Sequence, residues 1–470
     1  MLFPTLDFAL FFLGVAALMV PLADRFEARK LVLLVASYLF YANWNWRFCF
    51  LLAFSSLVSY VAGLLLDRSA GDERRRGRIV AAAVTIHLAL LGTFKYFDFF
   101  VSSANDLARA LGLPEMLPFV EIILPVGISF YTFHGISYVV DVRRGDVAVC
   151  RCLTDMLLYL SFFPQLVAGP IVRASAFLPQ LYRPQAGAVD IPAALLLILG
   201  GLFKKVVIAN TLATDLVDPV FFDPAAFGAA DLLLAAYGYA VQIYCDFSAY
   251  TDIAIGCAAL LGFHFPRNFD QPYRAASLQE FWRRWHISLS SWLRDYLYKP
   301  LGGSRGGPWR TARNLAITML LGGIWHGAAW PFVAWGALHG LGLIVGRALA
   351  PLTGGWAGTR AGRILGTFVV FHVVCLSWIL FRAGSFETVM IYLAGFARLD
   401  GGIAQTTPLA LGLIVLGLAL HFLPPDLPAR LNRLVPARQG WAMAAAFGVC
   451  ALAIDALGPD GVPPFIYFQF

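Results

Sequence analysis

Two histidines stand out by the company they keep. His326 is the only ionisable side chain in the stretch LAITMLLGGIWHGAAWPFVAWGAL, and His286 sits in FWRRWHISLSSWLRDYLY, next to a tryptophan and ahead of several serines. An imidazole can take a proton from a hydroxyl near neutral pH, and an ionisable group at membrane depth is costly enough to mark a reaction path or a buried partner. The competing reading of His326 is a packing histidine bonded to a neighbouring helix. Within residues 281–298, Trp282, Trp285, His286, Leu289, Leu293 and Tyr296 recur at spacings of three and four, which predicts one amphipathic helix. Arg283, Arg284, Ser291 and Arg294 point in other directions, suited either to donor phosphates or to anionic lipid headgroups.

The segment YAVQIYCDFSAYTDIAIG places Gln242, Cys245, Asp246 and Asp252 on one side of a helix in an otherwise apolar run. Asp246 needs a cation there, and an Arg or His from residues 281–298 is the expected partner, which makes Asp246 an orienting residue. His134 is expected to pack. His87, His264, His339, His372 and His421 lack acidic company and are expected in core or loop roles. Histidines four apart on a helix, paired CxxC motifs and acidic clusters beside His326 are all missing, so a metal site is not expected. No GxSxG, P-loop or GxGxxG appears in the strand-to-helix context that its chemistry needs.

These residues are held in a very apolar chain. Of 470 residues, 59% are hydrophobic and only 13% charged, with a mean hydropathy of +0.72, which implies an all-α polytopic membrane protein. No polar stretch is long enough to fold alone, so residues 1–470 read as a single membrane-embedded domain. The net charge of +7 lies in short loops and speaks of membrane orientation, not of nucleic acid. Seven scattered cysteines argue against a disulfide framework, although Cys150 and Cys152, beside basic residues, are candidates for acylation. A cleavable signal peptide is not evident at residues 1–23.

Loop charge sets the expected topology. Segments 24–30, 67–78 and 141–151 are basic and read as cytoplasmic, whereas 102–118 and the acidic 213–231 read as external. Segment 153–171, with Pro164, Gly169 and Pro170, then has to enter and leave on the cytoplasmic side as a re-entrant element. Residues 263–313 carry nine basic residues and form a cytosol-facing surface where an anionic substrate would meet the protein. The expectation is about 11–12 spans plus re-entrant helices, with the carboxy-terminal PPFIYFQF outside.

The runs LPVGISFYTFHGISYVVDV, FFPQLVAGPIVR, YCDFSAYTDIAIG, HFPRNFDQPYRAASLQEFWRRWHISLSSWLRDYLYKPLGG and GGIWHGAAW together resemble the membrane-bound O-acyltransferase (MBOAT) family. The resemblance spans nearly the whole chain. It is closest to the bacterial branch that acts on alginate, peptidoglycan and teichoic acid. It implies a many-helix fold enclosing a central tunnel, an essential histidine at His326 and a second functional histidine at His286. Trp285, Trp325, Arg283, Arg284 and Asp246 become candidate substrate-binding residues. The implied donor is a cytoplasmic thioester, acetyl-CoA or similar, and the implied partner is a periplasmic acyltransferase or carrier protein at the inner membrane.

FIYFQF resembles a terminal motif of that branch in which a tyrosine is proposed as an acyl carrier, here Tyr467. A phenol with a pKa of about 10 is only modestly more basic than a thiol at about 8.5, so an aryl ester keeps much of a thioester's activation. The expected function is O-acetylation of an exported polysaccharide. A transporter or flippase of the acyl donor, or a scaffold for a catalytic partner, remains open at this point.

Overall fold

The computed structural model describes residues 3–114, 117, 118, 120, 122–167, 169–182, 189–399, 402–424, 427, 430 and 440–459, and every element among them is helical. Among the described residues, five helices are long and apolar enough to cross a membrane, namely Phe48–Arg68, Glu73–Ala110, Ile191–Phe222, Trp330–Ala357 and Arg360–Arg382. The chain forms two compact units, residues 6–189 with 260–265, and residues 190–259 with 266–470.

The first unit is packed through small and hydroxyl residues. On the helix Phe48–Arg68 the buried positions include Ser55, Ser56, Ser59, Ala62 and Gly63. They let the helix Ile128–Arg144 approach closely, with Gly63 against the Tyr138 ring and Gly135 against His87 and Ser59. His87 is indeed structural, because Ser55 Oγ lies 3.1 Å from its Nδ1 and Ser59 Oγ 3.0 Å from its Nε2. His134 packs against Tyr159 at 5.4 Å between ring centroids.

The segment expected to be re-entrant is a broken, buried helix. Leu153–Ser161 ends at Phe162 (ψ 110°), and a short helix Phe163–Leu166 resumes around Pro164. A break at depth frees backbone groups that lipid cannot satisfy. Here Ser37 Oγ accepts from the Phe163 N–H at 3.2 Å, and Gln165 Nε2 donates to the Tyr159 carbonyl at 2.6 Å. Lys30 and Asp155 form an ion pair at 3.1 Å beside it. This unit also has a cleft of about 720 Å³ lined in part by Val149, Cys150, Cys152, Leu178 and Tyr182. Cys150 is buried there, and burial raises its thiol pKa, so it is a poor nucleophile; Cys152 is partly exposed.

In the second unit, Ile191–Phe222 runs as one span because its α-helical turns continue through π-helical stretches at Phe203–Ala209 and Ala213–Val217. It crosses the 32-residue helix Ala229–Leu260. Gly201 meets the Ala249 carbonyl and Ile253, and Gly256 meets the Ala194 carbonyl and Ile198, so side chains at these glycines would push the helices apart. A hairpin of Gly307–His326 and Trp330–Ala357, followed by Arg360–Arg382, completes the frame that holds the site.

Candidate active site

His326 is the last residue of the helix Gly307–His326, placed where the chain turns into Trp330–Ala357. The turn is tight because glycines line it. Gly323 lies against the Phe332 carbonyl, Gly336 against the Met319 carbonyl, and Gly327 against the Phe332 ring. The Gly327 N–H points back to the Gly323 carbonyl at 3.4 Å and closes the helix.

His326 is only 3% exposed. Its ring is enclosed by Trp325 at 5.0 Å, Trp335 at 4.9 Å and Phe381 at 5.3 Å between centroids, all in edge-on arrangements. Two further imidazoles extend this cluster. Trp325 lies 6.2 Å from His286, and Trp335 lies 4.6 Å from His339. His286, Trp325, His326, Trp335 and His339 therefore form one buried series of alternating imidazole and indole rings. His339, expected in the core, is indeed buried, but it is also a neighbour of the site: its Nε2 is 3.0 Å from Ser377 Oγ, which itself donates to the Val374 carbonyl at 2.7 Å.

The amphipathic helix expected over 281–298 is interrupted at His286. A helix over Leu278–Arg284 ends, His286 takes the left-handed conformation (φ 42°, ψ 57°), and a second helix runs over Ile287–Leu293 before a π-helical turn at Arg294–Tyr298. The cause lies outside the segment. The Ile287 N–H donates to the Asn268 carbonyl at 2.8 Å and the Ser288 N–H to Asn268 Oδ1 at 3.0 Å, so residue 268 caps the second helix. Periodicity within 281–298 carries no trace of a cap supplied from 268. His286 is fully buried, and burial lowers its pKa to about 3, so its imidazole is neutral.

The expected arginine sites divide. Arg284 is clamped by Glu280 at 2.9 Å and Asp270 at 3.1 Å, while Arg283 is exposed. Burial on its own would raise the Glu280 carboxyl pKa, but the Ala276 N–H and the Arg284 guanidinium outweigh it and hold it low. Trp285 packs in the core against Trp378 at 4.9 Å and Phe269 at 5.1 Å.

Asp246 does have a cation, but it is not the expected Arg or His from 281–298. Lys205 reaches it at 2.9 Å with both side chains buried, and the preceding Lys204 reaches Asp252 at 2.6 Å. The two consecutive lysines, both on the π-helical stretch Phe203–Ala209, meet two acids on the neighbouring helix. The signal was there to read: a Lys–Lys pair inside an apolar run needs counter-charges as much as Asp246 does. Tyr467 lies outside the described residues.

Among the described residues, no group of three or more His, Cys, Asp or Glu is placed to hold a metal ion. What the site offers is buried imidazoles in an aromatic enclosure, with His286 held neutral. Such a setting favours proton transfer to and from a bound hydroxyl and protects an activated acyl group from hydrolysis.

Comparison with known proteins points the same way. Residues 152–390 match the model of the membrane-bound O-acyltransferase family, a range that contains Lys205, Asp246, Asn268, His286, His326 and His339. The chain is 43% identical over 363 residues to the probable alginate O-acetylase of Pseudomonas aeruginosa, covering 76% of this chain and 68% of that one. It is 38% identical to the probable alginate O-acetylase of Azotobacter vinelandii, covering 94% and 95% of the two chains. It is also 35% identical to the peptidoglycan O-acetyltransferase of Helicobacter pylori, covering 79% and 74%.

Proposed function

From the premise that this chain belongs to the membrane-bound O-acyltransferase family, as a multi-pass membrane O-acyltransferase, we propose that it carries an acetyl group from a cytoplasmic thioester to a hydroxyl destined for an exported polysaccharide, alginate or a similar polymer. The observation that carries this reading is the burial of His326 in an aromatic enclosure shared with His286. In the proposed step, His326 accepts the proton of the attacking hydroxyl as its oxygen bonds to the thioester carbonyl carbon. The carbon–sulfur bond then breaks, and the departing thiolate takes up the proton.

The attacking hydroxyl belongs to Tyr467 or to a carrier on a periplasmic partner, and the acetyl group passes from there to the sugar. The exposed Arg283 supplies a cation for donor phosphates, while Arg284, held by Glu280 and Asp270, keeps the segment in place. Trp285 and Trp325 wall the acyl site, and the Lys205–Asp246 pair fixes the long helix behind it. The proposed location is the inner membrane, with the donor on its cytoplasmic face.

The test uses vesicles containing the full chain and supplied with labelled acetyl thioester. The wild type should form an acetyl ester, and mass spectrometry should place it on Tyr467 or on an added carrier. His326→Ala should lose the ester while donor entry stays normal. Loss of donor entry, with no acyl product from either protein, would make the chain a transporter and overturn the reading.

A further inference from the structure

Asn268 makes three contacts with the residues around the His286 break. Its carbonyl accepts the Ile287 N–H at 2.8 Å, its Oδ1 accepts the Ser288 N–H at 3.0 Å, and the same Oδ1 lies 3.3 Å from His286 Nδ1. The Ser288 contact settles which end of the amide faces the imidazole, because only the oxygen can accept a backbone N–H. An oxygen that only accepts can meet His286 Nδ1 only if that nitrogen carries a proton. Ser288 Oγ, at 3.4 Å, offers the same proton a second acceptor.

His286 is neutral, so a proton on Nδ1 leaves Nε2 with a bare lone pair. Nε2 is buried and has no hydrogen-bond partner among the described residues. A buried acceptor without a partner costs about 1–3 kcal/mol. The left-handed conformation of a non-glycine residue adds a further cost at the same position. Both are paid at a ring 6.2 Å from Trp325, which bears directly on His326. On the other side of the break the Asp270 N–H donates to the Arg284 carbonyl at 2.9 Å.

We propose that Asn268 is a positioning residue that holds His286 as its Nδ1–H tautomer, so that Nε2 accepts a hydrogen bond from an O–H or N–H group of the bound substrate. The substrate's identity rests on the acyl-transfer reading above, whereas the tautomer does not. An Nε2–H tautomer would present the opposite face, a donor suited to a carbonyl oxygen. The two states therefore assign His286 to different substrate groups, and Asn268 selects between them.

The test is nitrogen-15 NMR of histidine-labelled full-length protein in lipid nanodiscs, with the His286 signal identified by its loss in His286→Gln. Wild type should show protonated Nδ1 and unprotonated Nε2. Asn268→Ala should lose that preference, and Asn268→Asp, which keeps an accepting oxygen, should retain it. In acetyl-transfer assays Asn268→Ala should lose about 10–100-fold, the usual range for a partner that orients an imidazole, and Asn268→Asp should recover most of it. If the loss lies in kcat/KM for the acceptor, the donor group is the attacking hydroxyl; if it is confined to KM for the thioester, it is an amide N–H of the acyl donor. An Nε2–H signal in the wild type, or an unchanged tautomer in Asn268→Ala, would overturn the proposal. A failure of the acyl-transfer reading would instead leave the NMR signals as assigned and show no transfer by the wild type.

Discussion

Replacing Lys205 by Met should cost far more than replacing Lys205 and Asp246 together. The two side chains are 3% and 4% exposed and 2.9 Å apart, so Lys205→Met leaves a buried carboxylate with its ion-pair partner gone. Removing one member of a buried pair costs about 3–5 kcal/mol, mostly the penalty of the stranded charge. Asp246→Asn should cost a similar amount by stranding the ammonium group. In the double variant Lys205→Met/Asp246→Asn neither charge remains, and an apolar or neutral pair of similar volume often costs little. The sum of the two single losses should therefore exceed the double loss by several kcal/mol, since two losses of about 3–5 kcal/mol each are set against a small one. The exposed pair Arg109–Asp106, at 66% and 70% exposure, serves as the contrast, with an expected coupling of at most about 1 kcal/mol. Chemical denaturation of the four proteins in one detergent, followed by helical circular dichroism, completes the cycle. Additive losses at Lys205 and Asp246 would refute the ion pair's role in holding the two helices together.

Gly336→Ala should lower stability by about 1–3 kcal/mol and reduce transfer, because its new Cβ meets the Met319 carbonyl and displaces the helix that ends in His326. Gly346→Ala, on the same helix with nothing within 4 Å, should be neutral or slightly stabilising, and equal effects of the two in denaturation and transfer assays would count against the close-approach argument. The His286 imidazole titrates at about 3 when buried and near 6.5 when unfolded, so between those values the unfolded chain holds the extra proton and stability falls as pH drops. From pH 6.5 to 5 this should cost the wild type about 2 kcal/mol that His286→Gln does not lose; equal pH slopes for the two proteins would mean that His286 is not buried as a neutral ring.

The helical, membrane-embedded character follows from composition, since a chain this apolar has no other way to satisfy its backbone in lipid. His326 and His286 are conspicuous in the sequence for a related reason, because an ionisable ring in an apolar or aromatic run is expensive, and the structure buries both. The break at His286 was not legible, because the groups that cap the second helix come from Asn268, 18 positions earlier, and periodicity within a segment cannot register them. The Lys–Lys pair inside an apolar run calls for counter-charges, but which acids supply them is fixed only when the two helices cross. His339 carried a weak local signal, being one helical turn beyond Trp335, but its link to His326 exists only once the glycine-lined hairpin folds back.

The central claim is that His326 moves the proton in acyl transfer, and single-turnover transfer by His326→Gln measures it most directly. Full-length protein in nanodiscs, loaded with labelled acetyl thioester and mixed with acceptor, separates donor binding from the chemical step. Donor binding should stay within a factor of about three, and the transfer rate should fall by about 10²–10⁴, the range that general base catalysis supplies. A variant that binds donor normally and transfers within about tenfold of the wild-type rate would contradict the account.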